Sequence, residues 1–281
     1  SLTNAYAEEW EILLDKDLSK WEVWMGIPHT SITGLPEGTY TSDHLWIAMG
    51  QAMGLNNDPK KVFSVKQHKG EPMLQVTGEI LGALTTLKEY ENYHLTFKTR
   101  FGDQTWPPRV AMPLDTGLLY HCQGEHGNSK PLAWKACLEF QIIEGGIGDL
   151  IALGGMFGTV KGSALTNDKG ETTARYDPAS EVDIQHLPFA QASSNQENPK
   201  GQWNRLDLYV LGTNAVYVVN GVVVNVVENT IDKFKNPLTR GQLQIQSEGG
   251  EVYYSDMKIR DLIAFPKAVQ DQLDGRKVPL N

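Results

Sequence analysis

Apolar and polar residues alternate without a break from Tyr93 to Phe101. Tyr93, Leu95, Phe97, Thr99 and Phe101 fall on one side, His94, Thr96, Lys98 and Arg100 on the other. A period of two predicts a strand with one buried face. Comparable short runs recur along the chain, at 10–14, 63–65, 73–76, 79–83, 117–122, 137–143, 203–211, 215–219, 222–227, 241–246 and 252–262. Asn220-Gly221 separates two of them and predicts a two-residue hairpin, because both residues tolerate the positive φ of a type I′ turn. Residues 26–62 lack periodicity and read as a long decorated loop with one helical turn near Trp46–Met49. Residues 163–200 are polar and read as a long excursion, and the tail after about 265 reads as charged, with a short helix or no structure. At least ten strands with no alternating helices imply two packed antiparallel sheets, taken as one β-sandwich domain over 1–281.

Composition narrows the picture. The 27 glycines and 14 prolines of the 281 residues break the chain into short runs and argue against long helices. The net charge of −9 repels phosphate backbones, so nucleic acid is not expected as a partner, whereas neutral sugars are indifferent to it. No apolar run approaches the roughly 18 residues that span a bilayer, and Ser1-Leu2-Thr3-Asn4 shows neither a basic start nor an apolar core of a signal peptide. Cys122 and Cys137 sit on strands that would be neighbours. They are either bridged across the ladder or two buried free thiols.

Four stretches, taken together and in order, carry a resemblance. They are Leu84 to Phe101; Thr116-Gly-Leu-Leu-Tyr-His121 followed by Leu138 to Gly145 with Gly148-Asp149; Gly201-Gln-Trp-Asn-Arg205 running to Val222; and Leu243-Gln-Ile-Gln-Ser-Glu-Gly-Gly250 through Arg260. Over roughly residues 10–263 the chain resembles the 3-keto-disaccharide hydrolase domain family. That resemblance implies an all-β, two-sheet antiparallel jelly-roll sandwich of the concanavalin A-like lectin and glucanase type. It also implies a secreted or periplasmic protein, with any signal peptide already removed, acting on glycosides oxidised at the sugar 3-position. The sequence departs from the family pattern at Asp115-Thr116-Gly117, where members often carry Asn-Ser-Gly, and in the length of the 163–200 segment.

Glu139-Phe-Gln-Ile-Ile-Glu144 is the most suggestive chemical pattern. It is similar to the Glu-x-Asp-x-x-Glu signature of laminarinase-type glucanases, with Gln141 in place of the Asp. Glu139 and Gln141 share a face, and a one-residue bulge would return Glu144 to it. A 3-keto sugar permits elimination: a base removes the acidified hydrogen on carbon 2, an enolate forms, and the carbon 1 substituent leaves. Glu139, Glu144 and His121 are the candidate catalytic groups; Lys88, Arg100 and Tyr120 are candidates to stabilise the oxyanion. Gln246 and Glu248, on one face near a strand end, are expected to line the site with Gln141. His186 is a candidate to cap it, and the loop tryptophans Trp106, Trp134 and Trp46 are candidate stacking platforms. Trp10, Trp21 and Trp203 lie in strand patterns and read as core. No cofactor is implied with certainty. A divalent metal would serve as oxyanion stabiliser, but no tight ligand spacing marks one.

Two functions therefore compete on a fold that hosts both. One is an enzyme cleaving glycosidic bonds in the concave cleft, the other a lectin-like module that only binds carbohydrate. An adhesion or scaffold domain is a weaker third. Carboxylates converging with the amides near 246 would favour the enzyme.

Overall fold

The computed structural model describes residues 5, 6 and 9–274. Strands pack in two layers. The front sheet runs, in spatial order, Gly54–Leu55, Trp21–Met25, Gly82–Thr86, Arg240–Ser247, Asp115–Gln123, Ala136–Ile143, Leu150–Leu153, Phe189–Gln191 and Thr172–Tyr176. The back sheet runs Phe63–His68, Glu71–Val76, Gly250–Asp261, Tyr93–Thr105, Asn204–Leu211, Asn214–Val219 and Val222–Ile231. Phe157–Thr166 joins them, pairing with 228 and 231 at one end and with 172–176 at the other. The architecture is the all-β, jelly-roll type of sandwich that the sequence implies.

The alternation at 93–101 works as expected on its inner side, where Tyr93, Leu95, Phe97, Thr99 and Phe101 are buried. Its outer side is partly covered too. The rings of Tyr6 and Trp10 pack over His94, which also holds Asp207 at 2.7 Å. Asn220 and Gly221 adopt φ of 48° and 84°, as a type I′ hairpin requires.

Hydroxyl groups fasten the two sheets through the core. Tyr120 and Tyr217 share a hydrogen bond of 2.7 Å, Thr116 and Tyr254 one of 2.8 Å, and Phe140 stacks on Tyr217 at 4.4 Å. Pairing of this kind offsets the cost of burying a hydroxyl in an apolar core.

Several expectations need correction. The 163–200 segment is not a plain excursion: it contains the strands Thr172–Tyr176, Asp183–Leu187 and Phe189–Gln191. Thr173, Ala174, Tyr176, Leu187 and Ala190 are its buried residues, so its inward positions are small or isolated and its polar side dominates the composition. Trp10 and Trp203 are half-exposed on the outer face of the back sheet, whereas Trp21 is buried. The tail forms a helix at Lys267–Leu273, and residues 275–281 lie outside those described. Cys122 and Cys137 are free and buried. Among the described residues no helix is long and apolar enough to cross a membrane.

Replacing Tyr217 with Phe strands the Tyr120 hydroxyl in the core. Urea unfolding is expected to show a loss of about 1–3 kcal/mol, the usual cost of an unpaired buried polar group.

Candidate functional site

The outer face of the front sheet is built by register. Glu139 stands opposite Leu119, Gln141 opposite Gly117, and Ile143 opposite Asp115. On the other flank Gln244 faces Leu119, and the same alternation carries Gln246 and Glu248 towards Gly117 and Asp115. Alternate residues point inward, as the burial of Leu118, Leu138, Phe140 and Ile245 among core side chains attests. Four neighbouring side chains therefore come to one floor: Asp115, Glu139, Gln246 and Glu248.

Gly117 decides how they meet. The carboxylate of Glu139 leans diagonally across it, and a Cβ there would come within 2.2 Å of Oε1. Only a residue without a side chain leaves that path open, which brings Glu139 towards Asp115. Arg109, from the loop preceding Asp115, places its guanidinium 3.3 Å from the Asp115 carboxylate and lays its stem along Gly249. Asp115, Glu139 and Glu248 are 4%, 2% and 8% exposed, so three acids and one cation share a nearly dry space.

Burial raises the pKa of all three acids, because a charged carboxylate is poorly solvated there. Asp115 rises to about 7, held from rising further by Arg109 and by a hydrogen bond from Glu248. Glu139 is pushed well above the carboxylate range by burial and then by the charge on Asp115. Glu248 is pushed well up by burial and by the neighbouring acids, against the pull of Arg109. The first negative charge therefore forms on Asp115 as pH rises through about 7, while Glu139 and Glu248 are pushed higher. Asp115 Oδ1, Glu139 Oε1, Gln246 Oε1 and Arg109 Nε find no partner within the protein. These buried, unpaired groups supply donors and acceptors for a polar ligand.

Part of the floor is closed. Leu119, Cys122, Cys137 and Ala83 are covered by Ile27, Leu45, Ala48, Ala133 and Trp134 from the loops around 27–48 and 133–134. The polar end, from Gly117 to Asp115, is what remains for chemistry.

The other candidates are dispersed. Gln141 is on the floor, but its Oε1 accepts the backbone N–H of Ile142. Glu144 does not join Glu139. The ladder is regular from Leu138 to Ile143, its irregularity falling at Ala136–Leu138, and the Glu144 carboxylate accepts the Leu114 N–H at 2.7 Å and pairs with Lys200. His121 sits at φ 54° in an irregular stretch of its strand, and burial pushes its pKa to about 3, leaving it neutral. Tyr120 points into the core. Lys88 lies at an exposed edge, paired with Glu11. Arg100 belongs to the opposite side of the molecule, where it stacks between Trp203 and Tyr253 on the back sheet. Trp106 is half-buried and donates to the Thr77 carbonyl, and Trp134 is buried and donates to Gly82, so neither presents a free ring face as its main feature. His186 is exposed on a strand that pairs with Phe157–Thr166, away from the acids.

The sequence pattern did not single out Asp115 and Arg109 as members of this candidate site. The nearest signal was Gly117: a glycine inside a strand marks a close approach, here by the carboxylate diagonally across the ladder. Among the described residues no group of three or more His, Cys, Asp or Glu is disposed to hold a metal ion.

The fold defines the class, an all-β sandwich of the jelly-roll type. The chain belongs to the family described as the 3-keto-alpha-glucoside-1,2-lyase-like domain, whose model it matches over residues 9–260. Among solved structures it is similar to a glycosyl hydrolase candidate from Parabacteroides distasonis, at 15% identity over 91% of this chain and 100% of that one, with a TM-score of 0.48. It is also similar to a galectin-like protein of unknown function from Bacillus subtilis, at 11% identity over 92% and 96%, with a TM-score of 0.44. A carbohydrate-binding module of Bacillus subtilis aligns at 5% identity over 71% and 92%, with a TM-score of 0.40. No functionally curated protein matches the sequence.

Glu139→Gln isolates the electrostatic cost. A group whose folded pKa is raised binds more protons in the folded state, so its contribution is complete below the unfolded pKa and is lost as pH rises. The variant is therefore expected to gain melting temperature over the wild type at pH 8, and to gain little at pH 4.5. Each pH unit between the two pKa values is worth about 1.4 kcal/mol.

Proposed function

We propose that this chain is an enzyme that cleaves the glycosidic bond of 3-keto-glycosides on the Asp115–Glu139–Glu248 floor. One observation carries the reading: three acids share a buried space, and a single guanidinium fixes which of them is ionised. Acids with pKa values driven apart by their surroundings divide naturally into a base and proton donors.

Asp115, charged beside Arg109, removes the hydrogen on carbon 2 as a proton. The electron pair of that C–H bond forms the enolate, whose oxygen on carbon 3 accepts a hydrogen bond from protonated Glu139. Collapse of the enolate breaks the bond from carbon 1 to the leaving oxygen, which takes its proton from Glu248. Water then adds to carbon 1, giving a proton to Glu248, while Asp115 returns its own to carbon 2. The sum is hydrolysis, and both acids end as they began. Stopping before the water step makes the same residues a lyase.

Gln246, with its unpaired Oε1, orients a sugar hydroxyl in this scheme. Admission of the sugar requires the 106–114 loop to move, because Arg109 closes over Asp115 from that loop.

A panel of glycosides and their 3-keto derivatives tests the proposal. Turnover is expected only for the keto compounds, and Asp115→Asn or Glu139→Gln is expected to reduce it by about 10²–10⁴, the usual worth of a positioned acid or base. The rate should climb as pH rises through about 7, where Asp115 loses its proton. Arg109→Gln should move that limb to higher pH, since it removes the cation opposing burial. Turnover indifferent to both carboxyl variants would refute the mechanism, and sugar affinity without turnover would establish the lectin-like alternative.

A further inference from the structure

The floor does not end at Glu139. Continuing the register past Gln141, the next strands bring up Asp149, then Gln191, then Arg175, whose own pairing with Gln191 is direct. Ala190 and Ala174, the residues between, are wholly buried in the core, so this polar row lies on the same outer face as the acids. A cleft of about 260 Å³ opens here, between Gly145–Gly146 on one side and Ser193–Asn195 on the other.

Its lining is arranged to meet hydroxyl groups. Arg175 donates from Nε and Nη2 to the Gln191 Oε1 at 3.2 and 2.7 Å, which leaves the Gln191 amide N–H groups and the remaining guanidinium N–H groups as donors. Asp149 uses Oδ1 to accept the Ala192 N–H at 2.8 Å. Its Oδ2 faces Gly146, where a Cβ would come within 3.0 Å, so the glycine leaves room beside a free acceptor. Donors and an acceptor at one spot suit adjacent hydroxyls, each of which both gives and takes hydrogen bonds. The Asp149 and Glu197 carboxylates, the latter bonded to the Gly145 N–H, outnumber Arg175 and disfavour an anionic ligand.

We propose that this cleft is a second subsite, which seats a neutral sugar ring joined to the ring held at the Asp115–Glu139 floor. The proposal rests on that floor being the glycoside site; the disaccharide is already implied by the family resemblance, and what the cleft adds is the set of residues that would seat its second ring. Two strand spacings, roughly 10 Å, separate the position of Gly117 from that of Asp149, a span that adjoining rings bridge.

Arg175 is exposed, so Arg175→Ala should fold normally, and Gln191→Ala provides a second variant. Each is compared with wild type on a 3-keto disaccharide and on the methyl glycoside of the same 3-keto sugar, which has one ring. The disaccharide KM should rise about tenfold or more, the worth of a hydrogen bond to a charged group, while the methyl glycoside KM stays within about twofold. Unchanged values on both substrates overturn the subsite and leave the catalytic proposal standing, and equal losses on both overturn it too. If wild type turns over neither compound, the catalytic proposal fails and calorimetry with the disaccharide decides the subsite. Binding weakened about tenfold by Arg175→Ala would uphold it, and absent or Arg175-independent binding would overturn it.

Discussion

Charge cannot be taken out of water cheaply, and this constraint organises the front sheet. Three carboxyl groups occupy a nearly dry space with one guanidinium, so the arrangement is tolerable only if protons replace the missing cations. Arg109 settles the distribution by standing against Asp115. Glu248 then donates a hydrogen bond to Asp115, and Glu139 retains its proton under the influence of the same charge. The same protons that make burial bearable are the ones that elimination chemistry would spend.

Precision in the floor is borrowed from the core. A strand turns successive side chains to opposite faces, so every floor residue has neighbours pointing inward. Thr116, between Asp115 and Gly117, is tied to Tyr254 across the sandwich. Phe140, between Glu139 and Gln141, is stacked on Tyr217, whose hydroxyl also reaches the Glu139 carbonyl at 3.3 Å. Shifting Glu139 by one position in register would move it into the hydrophobic core, a change the packing resists strongly. Pre-organisation of this kind is what a catalytic or binding floor requires.

The outer face of the back sheet follows another logic. Arg100 lies between Trp203 and Tyr253, and Arg260 packs 3.2 Å from the Tyr6 ring centroid, so long cations cover aromatic surface instead of converging on a cavity. Two residue types often associated with sugar recognition, arginine and tryptophan, are consumed there by packing. Residue type alone does not separate these uses.

The architecture and one face of its key strand can be read directly along the chain. Alternation at 93–101, the Asn220-Gly221 turn and the pairing of Glu139 with Gln141 on one side all depend on backbone periodicity, which is local and therefore legible. The neighbours each side chain keeps were set by folding alone. Glu144 was drawn to the Leu114 backbone and Lys200, Tyr120 to the core, and Arg100 to the far side of the sandwich. Asp115 and Arg109 acquired their importance from Glu139 and Glu248, residues 24 to 139 positions away in sequence. Long-range strand pairing sets such meetings, and a pKa follows from every neighbour that the fold supplies, so neither can be read from spacing along the chain.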